Sequence, residues 1–311
     1  MKVVVLGMGG TIAGVADASA LRGYRAGEVA VARLLDGLDL ATGVELVAEQ
    51  VAQVDSKDMD EALWLALALR ARHWLAQDAV AGVVVTHGTD TLEETAFFLH
   101  AALDPAKPLV LTGAMRPSTD AAPDGPGNLR DAVAVAADPA ARGVLVVFAG
   151  QVFGASGVRK VHPRDVDAFE GGDAGPVGRV GAGGFVATGR WPRAGAEHAP
   201  WALEALARRL DEGQGLPWVA WVASHAGATG DEVRALLAAG VAGLVVAGTG
   251  NAMVHRRLEV ALEEARAAGV PVVVGSRCGQ GDAQPAEAGD RALALTPSQA
   301  RIALQLRLLG A

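Results

Sequence analysis

Residues 80–103 read VAGVVVTHGTDTLEETAFFLHAAL. The opening seven are almost continuously apolar and rich in valine, as expected of a central parallel strand covered on both faces. A short polar turn follows, and then Leu92, Thr95, Ala96 and Leu99 fall on one face at three-to-four spacing. Asp90 or Thr91 can cap that helix, and Glu93 and Glu94 occupy its first turn, where the helix dipole favours acids. A buried strand that passes through a tight turn into an amphipathic helix is the building block of a parallel α/β sheet.

The same alternation extends in both directions. Strands are expected at 2–7 (KVVVLG), 44–54, 108–113 and 143–149, with helices at 59–77, 91–103 and 127–138. A polar Gly/Pro-rich stretch spans about 170–200; its VGRV and FVAT pieces suit short local strands and its later part a linker. Alternation then resumes with helices at 201–212, 230–239, 253–268 and 297–309, and strands at 217–223, 241–247 and 270–275. The fold class is therefore two tandem α/β domains: 1–190 the larger, 191–212 a linker and connecting helix, and 213–311 a smaller parallel-sheet domain.

Composition narrows the function. Half the chain is hydrophobic (51% of 311 residues), which excludes a disordered protein. Lys and Arg total 27 against 35 Asp and Glu, and the net charge of −8 argues against a general nucleic-acid binder. The lone Cys278 removes both an intrachain disulfide framework and a multi-cysteine zinc site, and the seven histidines show no metal-ligand spacing. The opening MKVVVLGMGGTIAG runs into a Gly-Gly turn without a cleavage site, and EALWLALALRARHWL carries internal charge. A cytoplasmic protein without a membrane span is expected.

Chemistry concentrates at strand ends. MGGTIAG (8–14) presents the Thr11 hydroxyl after the first strand; it lacks the G-x-G-x-x-G spacing of a dinucleotide site, and a purely structural turn is the competing reading. THGTDTLEET (86–95) places Thr89 and Asp90 beside backbone N–H groups able to hold an oxyanion. In VDSKDMD (54–60), Ser56 either binds a carboxylate or caps the following helix, where Asp58 competes. The loop 113–132 contains Arg116 and Asp120 and suits either a cleft wall or a surface excursion. Lys160 acts as a base only where its surroundings hold it neutral, and is otherwise a solvated lysine. His87 and His162 fit core or supporting hydrogen-bond roles, and the tryptophans and phenylalanines fit core packing. In GTGNAMVH (248–255), Asn251 can read an amide or carboxyl group, or cap a helix starting near Ala252.

Seven ordered blocks, GGTIAG, QVDSKDM, THGTDTLEETAFFL, LTGAMRPST, DGPGNLRDAV, GVRKVH and VVAGTGNA, span essentially the whole chain. Together they resemble the bacterial L-asparaginase family, threonine amidohydrolases that include glutaminase-asparaginases. The resemblance implies a flavodoxin-like N-terminal domain, no cofactor and no metal. It also implies a homo-oligomer, dimer or tetramer, whose neighbouring subunit completes each site. It assigns catalysis of L-asparagine hydrolysis to Thr11, the lid residue Tyr24, Thr89, Asp90 and Lys160. Substrate contacts fall to Ser56, Lys57, Gly88, Thr89, Asp90, Ala114 and, from the neighbour, Asn251. Two departures bear on preference: Lys57 stands where many relatives carry glutamine, and Glu287 is the only glutamate of 275–290, the stretch where secreted relatives supply one across the dimer. Competing functions are a non-catalytic amino-acid-binding descendant and an amidohydrolase that frees ammonia from glutamine for a protein or tRNA partner.

Overall fold

The valine run after Met1 forms β1 (Lys2–Gly9), with seven of its eight residues buried. This computed structural model describes residues 1–19, 23–39, 43–193, 195, 197–281 and 295–310. After β1 come a 3₁₀ turn at Thr11–Ala13, the paired short strands β2 (Val15–Ala16) and β3 (Tyr24–Arg25), α1 (Val31–Leu34) and β4 (Glu45–Val54). Then follow α2 (Glu61–Leu75), β5 (Val80–Thr86), α3 (Leu92–Leu103), β6 (Leu109–Thr112), α4 (Gly125–Ala137) and β7 (Val144–Phe148). Next are β8 (Gln151–Gly154), β9 (Arg159–Lys160), β10 (Phe169–Glu170), β11 (Gly178–Gly181) and β12 (Gly184–Ala187).

The main sheet runs β12-β11-β8-β7-β6-β5-β1-β4. The five strands from β7 to β4 are parallel, and the other three join antiparallel at one edge. Numbering those five parallel strands by chain order gives 2-1-3-4-5, the flavodoxin-like arrangement. Strand order reverses between β1 and β5, so a crevice opens outside their carboxyl ends. Continuous valine runs in both strands bury against helices on either face: α4 and α1 against Val3, Val5, Val84 and Val110, and α2 with α3 on the other side.

The sequence gives no warning of β8. It pairs back onto β7 through the two-residue turn Ala149-Gly150, with φ of 49° and 74°. Two successive left-handed residues suit the right-handed twist of a hairpin, and Ala149 adopts this geometry without the usual Asn or Gly signal. The VGRV and FVAT pieces do pair, as β11 with β12.

Contacts divide the chain into Met1–Leu203 and Glu204–Ala311, a boundary inside the segment 191–212, within α5 (Ala202–Asp211). The second unit contains β13 (Val219–Ala223), α6 (Asp231–Ala238), β14 (Gly243–Gly248), α7 (Arg256–Ala267), β15 (Val272–Ser276) and α8 (Pro297–Leu309). Its three strands are parallel in the order β13-β14-β15. Val222, Val246 and Val274 pack toward α6 and α7, whereas Val219, Val245 and Val273 pack toward α8. Two tandem α/β units with a larger and a smaller sheet are thus the architecture.

Several local expectations are corrected. Core packing fails for Trp201, Trp218 and Trp221, each about half exposed; on β13, Trp221 shares a face with Val219 yet is left uncovered. Neither Ser56 nor Asp58 caps α2, because Asp60 does so by accepting from the Leu63 N–H at 2.8 Å. Likewise α7 starts at Arg256 and is capped by His255, not by Asn251. Asp60→Ala is expected to cost about 1 kcal/mol, lowering the thermal midpoint by about 2–4 °C while any activity of the folded protein stays unchanged. Scanning calorimetry with an activity assay checks this; a comparable loss of activity would place Asp60 in the site.

Candidate active site

Three loops meet at the carboxyl ends of β4, β1 and β5. A Cβ added to Gly10 would lie 2.3 Å from the Gly88 nitrogen, and one added to Gly88 would lie 2.5 Å from the Ser56 Oγ. Gly10 also has φ of 79°, so two separate constraints demand glycine there. This contact sets the next residue of each loop, Thr11 and Thr89, on the wall of one cavity of about 980 Å³.

Thr11 sits in the buried 3₁₀ turn after β1, and its hydroxyl lies 2.8 Å from the Tyr24 hydroxyl. Tyr24 is carried by β3, part of an excursion fastened by the Arg25–Asp17 ion pair and by Gly27, whose N–H donates to the Gly10 carbonyl at 3.1 Å. Across the cavity, the Lys160 Nζ donates to Thr89 Oγ1 at 2.9 Å and to Asp90 Oδ1 at 2.7 Å. The cavity therefore presents two buried hydroxyls, one beside a phenol and the other beside a lysine–aspartate pair. Each hydroxyl has a proton-handling neighbour, the arrangement that nucleophilic catalysis needs.

Behind this wall, Ser56 Oγ accepts from the Asp90 N–H (3.2 Å), and the Thr91 hydroxyl donates to the Ser56 carbonyl (2.7 Å). Thr91 thus begins α3 without a side-chain cap bond, its hydroxyl being spent on the β4 loop. Of the segment 113–132, Met115 lines the cavity while 119–122 are exposed, and the segment is tied down by its own hydrogen bonds. Asp124 accepts from the backbone N–H groups of Met115 and Arg116, and Asn128 bridges the Gly113 carbonyl to the Ala149 N–H. Arg116 and Asp120 bond within this loop, to the carbonyl and the N–H of Ala122. Among the described residues, no group of three or more His, Cys, Asp or Glu side chains comes together to hold a metal, and no helix is long and apolar enough to cross a membrane.

Comparison with known proteins fits this geometry. The sequence profile described as "Asparaginase, N-terminal" matches residues 2–191, and that described as "Glutaminase/Asparaginase C-terminal domain" matches residues 218–310. The chain belongs to the L-asparaginase/glutaminase-asparaginase family. It is 37% identical over 317 residues to L-asparaginase 2 of Escherichia coli (strain K12), covering 99% of this chain and 88% of that protein. Identity to the glutaminase-asparaginase of Pseudomonas fluorescens biotype A is 34% over 320 residues, covering 99% and 86%. Among solved structures, the probable cytoplasmic L-asparaginase from Campylobacter jejuni superposes with a TM-score of 0.88 at 35% identity, covering 100% of this chain and 95% of that one. The activity is accordingly amide hydrolysis of the asparaginase/glutaminase-asparaginase type.

In this asparaginase-family chain, the first unit gathers Thr11, Tyr24, Thr89, Asp90 and Lys160 around one cavity. Ser56 and Gly88 lie directly behind it, and Ala114 is buried beside the Gly125 position that also abuts Ile12. The Lys57 ammonium pairs with Asp58, and Lys57 is not among the cavity-lining residues. Asn251 belongs to the second unit, in the turn after β14. Glu287 lies outside the described residues. Sequence reading gave no place in the cavity to Glu93, Met115 and the run Val161–Arg164, all of which line it; His162 is half-buried there and not in the core, its Nδ1 accepting from the Arg164 and Asp165 N–H groups. Glu93 carried a signal, its place in a helix first turn, and that pointed to the dipole rather than the site.

His87 backs the Thr89 loop. Its Nδ1 lies 2.8 Å from the Gly88 carbonyl and must donate to it, so Nε2 accepts from the Thr95 hydroxyl at 3.1 Å. Thr95 Oγ1 in turn accepts from the Trp64 Nε1 at 2.9 Å, and Trp64 stacks on Phe98. The imidazole is fully buried, and burial lowers its pKa to about 4. The unfolded chain binds this proton below about pH 6.5, whereas the folded one resists it down to about 4, so stability falls as pH drops through that window. The shift corresponds to about 3 kcal/mol. In thermal melts from pH 7 to 4, His87→Gln should have a lower midpoint at pH 7 but a flatter acid slope than the parent. Parallel slopes would show that His87 does not drive the acid loss.

Proposed function

We propose that this chain is an L-asparaginase with weaker glutaminase activity, working through an acyl-enzyme on Thr11. The observation that carries this reading is the pairing of each cavity hydroxyl with its own partner, Thr11 with Tyr24 and Thr89 with Lys160 and Asp90. The Thr11 oxygen attacks the side-chain amide carbon while its proton passes through the Tyr24 hydroxyl. Negative charge on the amide oxygen is held by backbone N–H groups at the Gly88–Thr89 turn. Ammonia leaves with the transferred proton, and a β-aspartyl ester remains. Water, positioned by Thr89 and its Lys160–Asp90 support, attacks the ester and returns the proton to Thr11. Two acyl transfers replace one difficult displacement.

Binding uses the polar wall. Asp90 receives the substrate's α-ammonium. Ser56, whose oxygen already accepts from the Asp90 N–H, keeps its own hydrogen to donate to the α-carboxylate. Asn251 serves a neighbouring copy in a homo-oligomer, dimer or tetramer. The setting is proposed to be cytoplasmic, like that named for the Campylobacter jejuni relative. Glutamine carries one more methylene than asparagine, and discrimination of that size is worth about 10–200-fold.

Ammonia release from L-Asn, D-Asn and L-Gln tests the reading. Thr11→Ala and Thr89→Val should each lower kcat by about a hundredfold or more, and Ser56→Ala should act mainly on KM. Near-parent rates in both threonine variants would remove the mechanism. Glutamine turnover matching or exceeding that of asparagine would reverse the preference.

A further inference from the structure

Lys160 is held unlike the two threonines of the site. Thr11 and Thr89 follow strands of the main sheet, but β9 is two residues long and belongs to a separate ladder with β10, pairing Lys160 with Phe169 and Arg159 with Glu170. That ladder leans on the main sheet through Phe169 against Phe148, with ring centres 4.8 Å apart, and is braced by the Arg159–Glu170 ion pair at 2.7 Å. Neither contact reaches the helix that starts after Thr89. In the ladder it is the Val161 N–H that donates to Ala168, at 2.8 Å, so the Lys160 N–H faces away from β10. There it meets Glu93, whose Oε2 accepts from the Lys160 N–H at 2.5 Å.

We propose that Glu93 is a positioning residue that fixes Lys160 to the Thr89 helix by accepting its backbone N–H. The inference rests on the catalytic reading above. Asp90 lies in the turn just before α3 and Glu93 in the first turn of that helix, with only the N-cap Thr91 and Leu92 between them. One holds the lysine ammonium and the other its main chain. Two points of attachment on one short stretch, the turn and the helix start, fix both position and direction of the side chain between them. A carboxylate acceptor makes the second point a charge-assisted bond, about twice as strong as a neutral one. Without it, the Lys160 main chain rests on a ladder of two residue pairs and only the Nζ bonds to Thr89 and Asp90 tie the residue to the start of α3, and misplacement of a catalytic group by about 1 Å can cost a hundredfold in rate.

The test compares Glu93→Gln, Glu93→Asp and Glu93→Ala with the parent and Lys160→Met. Glutamine keeps an oxygen acceptor at the same reach. Aspartate keeps the charge but falls one methylene short. The proposal expects kcat for Glu93→Gln within about threefold of the parent. It expects losses of about tenfold or more for Glu93→Asp and Glu93→Ala, with KM within about twofold throughout. Hydrogen–deuterium exchange over 155–163 supplies a readout independent of turnover: the Lys160 amide stays protected in the parent and Glu93→Gln and exchanges at least about tenfold faster in the other two. Near-parent kcat and protection in Glu93→Ala would overturn the inference, as would Glu93→Gln behaving like Glu93→Ala, which would assign the role to charge. An inactive parent, or an active Lys160→Met, would instead defeat the catalytic reading, and the exchange pattern would still judge Glu93. Thermal melts of each variant identify any that fail to fold, and Glu93→Gln against Glu93→Asp then decides.

Discussion

The site depends on one close approach, the contact of Gly10 with Gly88 at the point where strand order reverses between β1 and β5. Parallel neighbours in a sheet stand about 4.8 Å apart, and loops leaving them normally diverge to make room for side chains. Here both loops omit the Cβ at the point of contact, and the left-handed backbone of Gly10 turns the chain so that Thr11 follows immediately. The third loop closes on the same spot, since Ser56 packs against Gly88 and accepts from the Asp90 N–H. Enlarging any of the three would push apart the elements that carry the reactive groups.

From that contact, the chemistry divides by element. β3 brings the phenol to Thr11, and β9 brings the ammonium to Thr89. The backbone between the hydroxyls is stiffened from behind by the chain Trp64, Thr95, His87 and Gly88, in which every donor has an acceptor. Such a fully satisfied buried network fixes one conformation of the turn. The neutral imidazole matters here, because a protonated ring would lose its acceptor at Nε2 and break the chain at Thr95.

Much of this was legible in the sequence because its signals are local. Short runs rich in valine and leucine marked the parallel strands, and the polar turns after β1, β4 and β5 marked the hydroxyls at the switch point. Other features were not legible, for reasons that are equally physical. β8 follows a turn whose residues, Ala149 and Gly150, give no hairpin signature, and what holds it lies elsewhere in the chain: the β7 and β11 ladders and the Asn128 bond to the Ala149 N–H. Ser56 looked like a helix cap because capping and ligand binding ask for the same hydroxyl; Asp60, four residues on, takes the cap. Glu93 looked like a dipole partner for the same reason, since its real acceptor role links residues 67 positions apart. Residues such as Met115 and Val161–Arg164 line the cavity by topology alone.

The most direct test asks which oxygen is acylated. Lys160→Met should slow hydrolysis of the ester more than its formation, because the lysine supports the threonine that positions water. Mixed with L-asparagine, quenched in acid and digested, this variant should yield a peptide containing Thr11 heavier by one aspartyl group, formed as one equivalent of ammonia is released. An aspartyl adduct on the peptide containing Thr89, with Thr11 unmodified, would contradict the assignment of roles.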